Sequence, residues 1–181
     1  GVGYDAPQST VEILRAMARG GYAASPLPTS PLVGGAGRGE ATGNDLIALL
    51  QSGPTNAHPE RGTGIPFRVA RYRELFATLP AKIRSEVTAR WGDPSSDPFV
   101  RGDNFHLPAL DLCNVTVLLQ PARGYHLDET ASYHDPDLVP PHGYLAAYLW
   151  LRHEFGAHAV IHNGKHGNLE WLPGKAAALD P

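Results

Sequence analysis

The chain reads as an α/β fold: a layered domain with a partly parallel sheet, helices on its faces and long Gly/Pro-rich loops. Three observations predict this. Five stretches carry apolar residues at helical spacing. The apolar run at 114–119 lacks polar alternation, as a strand covered on both faces does, and the order strand, loop, helix, strand over 114–162 suits a βαβ crossover. Finally, 20 glycines and 17 prolines make up about a fifth of the chain, high but below the roughly 25–30% of disordered sequences, so long structured loops are expected. At 181 residues the chain suits one domain over 1–181, which would bury roughly 70% of the surface its unfolded form exposes.

In order, GVGYDAP is a turn, and Ser9 to Glu12 has capping-box spacing ahead of Val11, Leu14 and Ala18, with Gly20-Gly21 as the stop. Residues 22–43 are Gly-, Pro- and Ser-rich loop. Asn44 is expected to cap a short apolar helix reaching Ser52 and ended by Gly53-Pro54; 53–65 is loop again. Pro66 suits a first helical position, with Val69, Tyr72, Phe76 and Leu79 on one face. Beyond Pro80, Ile83, Val87 and Trp91 repeat the pattern until Gly92-Asp93-Pro94 ends it. Strands are predicted over 105–107 and 114–119, then a long loop over 120–141. Leu145, Tyr148, Leu149 and Arg152 mark a helix over 142–155 closed by Gly156, and a strand is expected over 157–162. No internal repeat or domain boundary is evident. The chain opens on a turn, lacks an initiator Met and stops shortly after its densest motif, which suggests an internal fragment of a longer protein.

Composition narrows the function classes. With 42% hydrophobic and 18% charged residues, and 15 basic against 18 acidic side chains, the net charge of −3 gives no case for a nucleic-acid partner. No run approaches the roughly 18 apolar residues that span a bilayer, so no membrane partner and a cytoplasmic location are expected. Cys113 is the single cysteine, beside the apolar run, and is expected to be an inert core thiol in a reducing compartment.

The chemistry concentrates in residues 162–175, HNGKHGNLEWLPGK. His162, His166 and Glu170 are four residues apart, the spacing of one helical face, although Gly164 and Gly167 argue for a loop folding back over a strand end. Imidazole and carboxylate ligate divalent transition metals and carry protons near neutral pH. Lys165 and Lys175 suit anionic groups of a ligand, and Trp171 suits stacking on a flat one. The plainer alternative is a strand-end histidine, a solvated loop histidine, a capping glutamate, surface lysines and a core tryptophan. No GxxxxGK[ST] phosphate loop is present. The 120–141 loop offers Arg123, Tyr125, Tyr133, His134, Asp135 and Asp137; loops this long are usually functional or disordered. Tyr133-His134-Asp135 can supply a proton shuttle or plain turn chemistry, and Arg123 a carboxylate clamp or a structural ion pair.

At these residues the chain resembles the large subunit of aerobic cobaltochelatase, the CobN family, which is related to the porphyrin-binding large subunit of magnesium chelatase. Four blocks carry the resemblance in order: GYDAPQSTVEILRAM, NVTVLLQPARGY, YHDPDLVPPHGYLAAYLWLRHEFGAHAVIH and HNGKHGNLEWLPGK. The resemblance implies a piece of a much longer subunit that inserts Co(II), the substrate metal, into hydrogenobyrinic acid a,c-diamide in cobalamin biosynthesis. It implies partner AAA+ motor subunits that hydrolyse ATP with Mg(II), consistent with the missing phosphate loop. The family's histidines and glutamate fall on His162, His166 and Glu170, implied to accept displaced ring protons or to relay the metal. Its lysines fall on Lys165 and Lys175, which with Arg123 would meet the corrinoid's carboxylates. Two departures stand out: Asn163 occupies an apolar position of the family pattern, and Cys113 a position where glycine is commoner before Asn-Val. The competing readings are a magnesium chelatase fragment, a zinc-dependent hydrolase using His162, His166 and Glu170 without an HExxH motif, and a non-catalytic tetrapyrrole-binding module.

Overall fold

A computed structural model describes residues 4–29, 39–124 and 138–164. These form two compact units, each gathered from separated stretches. The first takes 4–29, 39–65, 108–119 and 161–164; the second takes 66–107, 120–124 and 138–160.

Two helices and a hairpin make the first unit. Helix α1, Ala6–Arg19, starts three residues before the predicted cap because Asp5 accepts from Gln8 N at 2.9 Å, and Pro7 lies in the first turn, where an N–H has no helical partner anyway. Glu12 is held by Arg15 at 2.5 Å and Gln8 at 3.0 Å instead of reaching back as a cap. Helix α2, Gly43–Ser52, is capped by Thr42 rather than Asn44: Thr42 Oγ1 accepts from Asp45 N, and the Asp45 carboxylate accepts from Thr42 N at 2.7 Å. The two helices meet at Gly43. Its N–H donates to Gln8 Oε1 at 2.8 Å, and a Cβ there would lie 2.7 Å from the Gln8 backbone nitrogen. Strands β4, Ala109–Leu112, and β5, Val115–Leu118, pair antiparallel, with Ala23 and Ser25 bonded alongside their turn.

In the second unit a three-stranded sheet of order β1-β3-β2 supports three helices. The strands are β1, Ile65–Arg68; β2, Val100–Arg101; and β3, Asn104–Leu107, with β2 and β3 antiparallel. The helices are α3, Val69–Ala77; α4, Ala81–Trp91; and α5, His142–His153. Pro66 lies in β1 and not at a helix start: β1 is an edge strand, where a residue without an N–H leaves no ladder bond unmade. Phe67, Tyr72 and Phe105 pack as the aromatic centre, Phe105 against Tyr72 at 4.9 Å between ring centres. Helix α5 is buried along most of its length, from His142 to Leu151, and Gly156 at φ 68 turns the chain away from it.

Helices and sheets are mixed as the α/β reading predicts, but two details differ. The strand expected over 157–162 is irregular chain, with Val160 54% and Ile161 65% exposed. A strand exists only where a neighbour satisfies its backbone, and no described strand pairs with 157–162: β5, the expected parallel partner, forms a two-stranded antiparallel sheet with β4 alone. The βαβ crossover is therefore absent among the described residues. Nor is Cys113 a core thiol. It is exposed at the first position of the two-residue turn Cys113-Asn114 between β4 and β5, with φ 73. The β2–β3 hairpin has the same construction, and there the position is Gly102 at φ 59. Positive φ at the first loop residue and not at the second marks a II′-type hairpin, which favours glycine at the first.

Two stability changes follow. Cys113→Gly relieves a left-handed cost of ~1–2 kcal/mol against a glycine entropy cost of ~0.5–1, so the urea midpoint should rise by the equivalent of about 0.5–1 kcal/mol. Gly43→Ala should lower it by about 1–3 kcal/mol, because the atom in the way is backbone and α1 must shift.

Candidate functional site

Of the 162–175 motif, the first three residues are described. His162 is exposed, Asn163 is half-buried and Gly164 is open. Asn163 reaches across to the start of α1: Nδ2 donates to Ala6 O at 3.1 Å and to Thr10 Oγ1 at 2.7 Å, and Oδ1 accepts from the Tyr4 hydroxyl. His162 is thus carried next to a fixed point while its imidazole faces solvent. Arg123, the other described candidate, is buried in the second unit at 6% exposure. Lys165, His166, Glu170, Trp171 and Lys175, together with Tyr125, Tyr133, His134 and Asp135, lie outside the described residues.

Sequence reasoning does not single out one buried polar cluster, that of His142, Tyr72 and Asp97. It sits where α5 begins. His142 is 1% exposed; its Nδ1 lies 2.7 Å from the Tyr72 hydroxyl and its Nε2 lies 3.1 Å from Gly92 O. A carbonyl can only accept, so Nε2 carries the hydrogen and Nδ1 accepts from Tyr72. Burial pushes the His142 pKa below the ordinary imidazole value, against smaller upward effects of the Gly92 carbonyl and the Asp97 charge; the same burial pushes the Tyr72 hydroxyl far up. Beside them the buried Asp97 carboxylate accepts from Gly143 N at 2.7 Å and Phe99 N at 3.0 Å. Pro141 has no capping side chain of its own, so Asp97 satisfies the α5 N-terminus from another part of the chain and complements its dipole. The available signals are slight: a histidine directly after Pro140-Pro141, and an Asp-Pro beyond the α4 stop.

Two further features bound the chemistry. A cleft of about 370 Å³ in the first unit runs between the end of α2, residues 62–65 and β4, and its one carboxylate, Asp111, is committed to Cys113 N at 3.0 Å. No group of three His, Cys, Asp or Glu that could hold a metal ion occurs among the described residues, and no described helix is long and apolar enough to cross a membrane.

Similarity to known proteins covers the whole chain. The profile of the CobN/Magnesium Chelatase family matches residues 1–181. The chain belongs to that family. It is 51% identical over 180 residues to the aerobic cobaltochelatase subunit CobN of Sinorhizobium sp., a match that covers 99% of this chain and 13% of that protein. Identity to a magnesium-chelatase subunit of Rhodobacter capsulatus is 28%, over 95% of this chain and 13% of that protein. Among solved structures, the catalytic subunit of cobaltochelatase from Mycobacterium tuberculosis matches with a TM-score of 0.73 and 41% identity, covering 97% of this chain and 14% of that one. The chain therefore spans about an eighth of the length of the CobN relative. The CobN/magnesium chelatase blocks that begin near Tyr4 and at His162 meet physically through Asn163.

His142 makes a signed prediction. Its folded pKa lies below the unfolded value of about 6.5, so the unfolded chain takes up the proton first as pH falls. The stabilisation is complete above about pH 6.5 and is lost progressively below it. His142→Leu should cost about 1–3 kcal/mol at pH 8, through the stranded Tyr72 hydroxyl, and flatten the loss of stability between roughly pH 6.5 and 5 relative to wild type. Urea titrations at several pH values read both effects.

Proposed function

We propose that the chain is a tetrapyrrole-binding part of an ATP-dependent cobaltochelatase that inserts Co(II) into hydrogenobyrinic acid a,c-diamide in cobalamin biosynthesis. The observation that supports the cobalt reaction over the magnesium one is the gap in identity: 51% and 46% to two CobN subunits against 28% to a magnesium-chelatase subunit, each over nearly the whole chain. The family match also favours chelation over zinc-dependent hydrolysis.

The chemistry needs three things from the protein. Ring nitrogens lose protons as the metal enters, so bases must stand near the ring; Glu170 and His166 are assigned to this, with His162 assisting and each able to hand the metal on. The flat, carboxylate-fringed ring needs a stacking surface and cations, the roles of Trp171 and of Lys165, Lys175 and Arg123. A guanidinium as buried as Arg123 would act on a carboxylate in low dielectric, where the attraction is stronger than at the surface. Tyr125, Tyr133, His134 and Asp135 form the remaining contacts, Tyr133-His134-Asp135 as a proton shuttle. Energy comes from AAA+ motor subunits that bind ATP and Mg(II), and the site of action is cytoplasmic. The fragment alone is inactive, because motors and the other walls of the cavity are missing.

Cobalt insertion by the full-length subunit with its motor partners tests the assignment. Glu170→Ala should lower kcat by about 10²–10⁴-fold, the range for a lost general base, with tetrapyrrole binding retained. Unchanged turnover by a folded variant overturns the catalytic role, and faster insertion of Mg(II) into a porphyrin than of Co(II) into the corrinoid overturns the substrate.

A further inference from the structure

The segment 158–164 carries the start of the His162 motif, yet it has no strand ladder and its apolar residues Val160 and Ile161 face outward. Among the described residues, the side-chain hydrogen bonds that tie it to another element all come from Asn163. The receiving surface is built for an amide. Ala6 O can only accept, which fixes Nδ2 toward it and leaves Oδ1 facing the Tyr4 hydroxyl. Thr10 donates its own hydroxyl hydrogen to Ala6 O at 2.9 Å, so its oxygen is left to accept from Nδ2. Three of the four bonds an Asn side chain can make are thereby used, with partners more than 150 residues away in sequence. These partners lie in or just before the first turns of α1, whose own start is fixed by Asp5 and whose flank is packed on α2 at Gly43.

We propose that Asn163 is a positioning residue: its amide, held by Tyr4, Ala6 and Thr10, pins the entrance of the 162–175 motif to α1 and so fixes where His162 meets substrate. The catalytic consequence rests on the chelatase reading above; the pinning does not. Asn163 touches no reacting atom. An apolar residue at this position would bury against the same helix without fixing register or direction, whereas the amide does both. Displacing a catalytic group by about 1 Å can cost on the order of 10²-fold in rate.

Two measurements on the full-length subunit separate the parts. In limited proteolysis with thermolysin, which cuts before exposed apolar residues such as Val160 and Ile161, Asn163→Ala and, more weakly, Tyr4→Phe should speed cleavage within 158–164 by roughly tenfold or less per lost contact, with the global unfolding midpoint unchanged. Cleavage indistinguishable from wild type overturns the pinning. In cobalt insertion with the motor subunits, Asn163→Ala should lower kcat by about 10–100-fold while KM for the corrinoid moves by less than about threefold. Thr10→Val should fall part of the way, non-additively with Asn163→Ala, and Thr10→Ser, which keeps the accepting oxygen, should restore turnover. Faster cleavage with unchanged kcat overturns the positioning role. If the wild-type subunit inserts no cobalt, the chelatase reading fails on its own and the cleavage result still decides the pinning. Tyr4→Phe removes one hydroxyl from an exposed side chain, so it supplies the test should Asn163→Ala fail to fold.

Discussion

The second unit depends on how the buried N-terminus of α5 is satisfied. A helix that starts after two prolines brings no capping side chain, and at this depth water cannot supply one. Asp97 and His142 solve the problem together. The carboxylate takes the Gly143 N–H, and the imidazole ties Tyr72 of α3 to the Gly92 carbonyl just past α4. Elements from three helices are thereby referred to one point, around which Phe76 and Tyr72 pack edge-on to the ring at 5.3 and 5.6 Å. An aliphatic residue at position 142 could fill the volume but not hold both partners in register.

The first unit relies on proximity more than on buried polar groups. Gly43 lets α2 approach α1 closely enough for Gln8 to bond its backbone, and the Thr42–Asp45 box holds the α2 start at that contact. With α1 held along one flank by α2, its first turns are a rigid reference for anything bonded to them. Asn163 uses that reference. Salt bridges such as Arg71–Glu74 and Arg73–Asp93 lie on exposed surface and contribute little by comparison.

Periodicity makes the helices legible from their apolar residues, although α5 is buried on more than one side, and the glycines and prolines that stop them sit where sequence places them. Caps are less legible. Asp5 and Thr42 each lie within four residues of a competing Ser9 or Asn44, and local spacing does not decide among hydroxyl and carboxylate caps that differ by about 1 kcal/mol or less. The strand over 157–162 fails for a different reason: Ala-His-Ala-Val-Ile-His has the composition of a strand, but pairing is a property of two segments. Cys113 looks like core because it adjoins an apolar run, although the glycine expected before Asn-Val already implies a turn with positive φ. Of the candidate site, residue types and order are visible in sequence. His142 and Asp97 are not, because their partners are tens of residues away.

The blocks that carry the family resemblance coincide with anchors as much as with candidate chemistry. GYDAPQST supplies Tyr4, Asp5, Ala6, Gln8 and Thr10, each of which bonds either the cap of α1, the start of α2 or Asn163. VPPHGY supplies the His142–Gly143 start of α5. Sequence similarity rewards both kinds of residue alike, so a motif's place in a matching block does not by itself assign it to catalysis. The distinction is physical: His142 and Asn163 are spent on partners within their own units, whereas His162 is exposed to solvent.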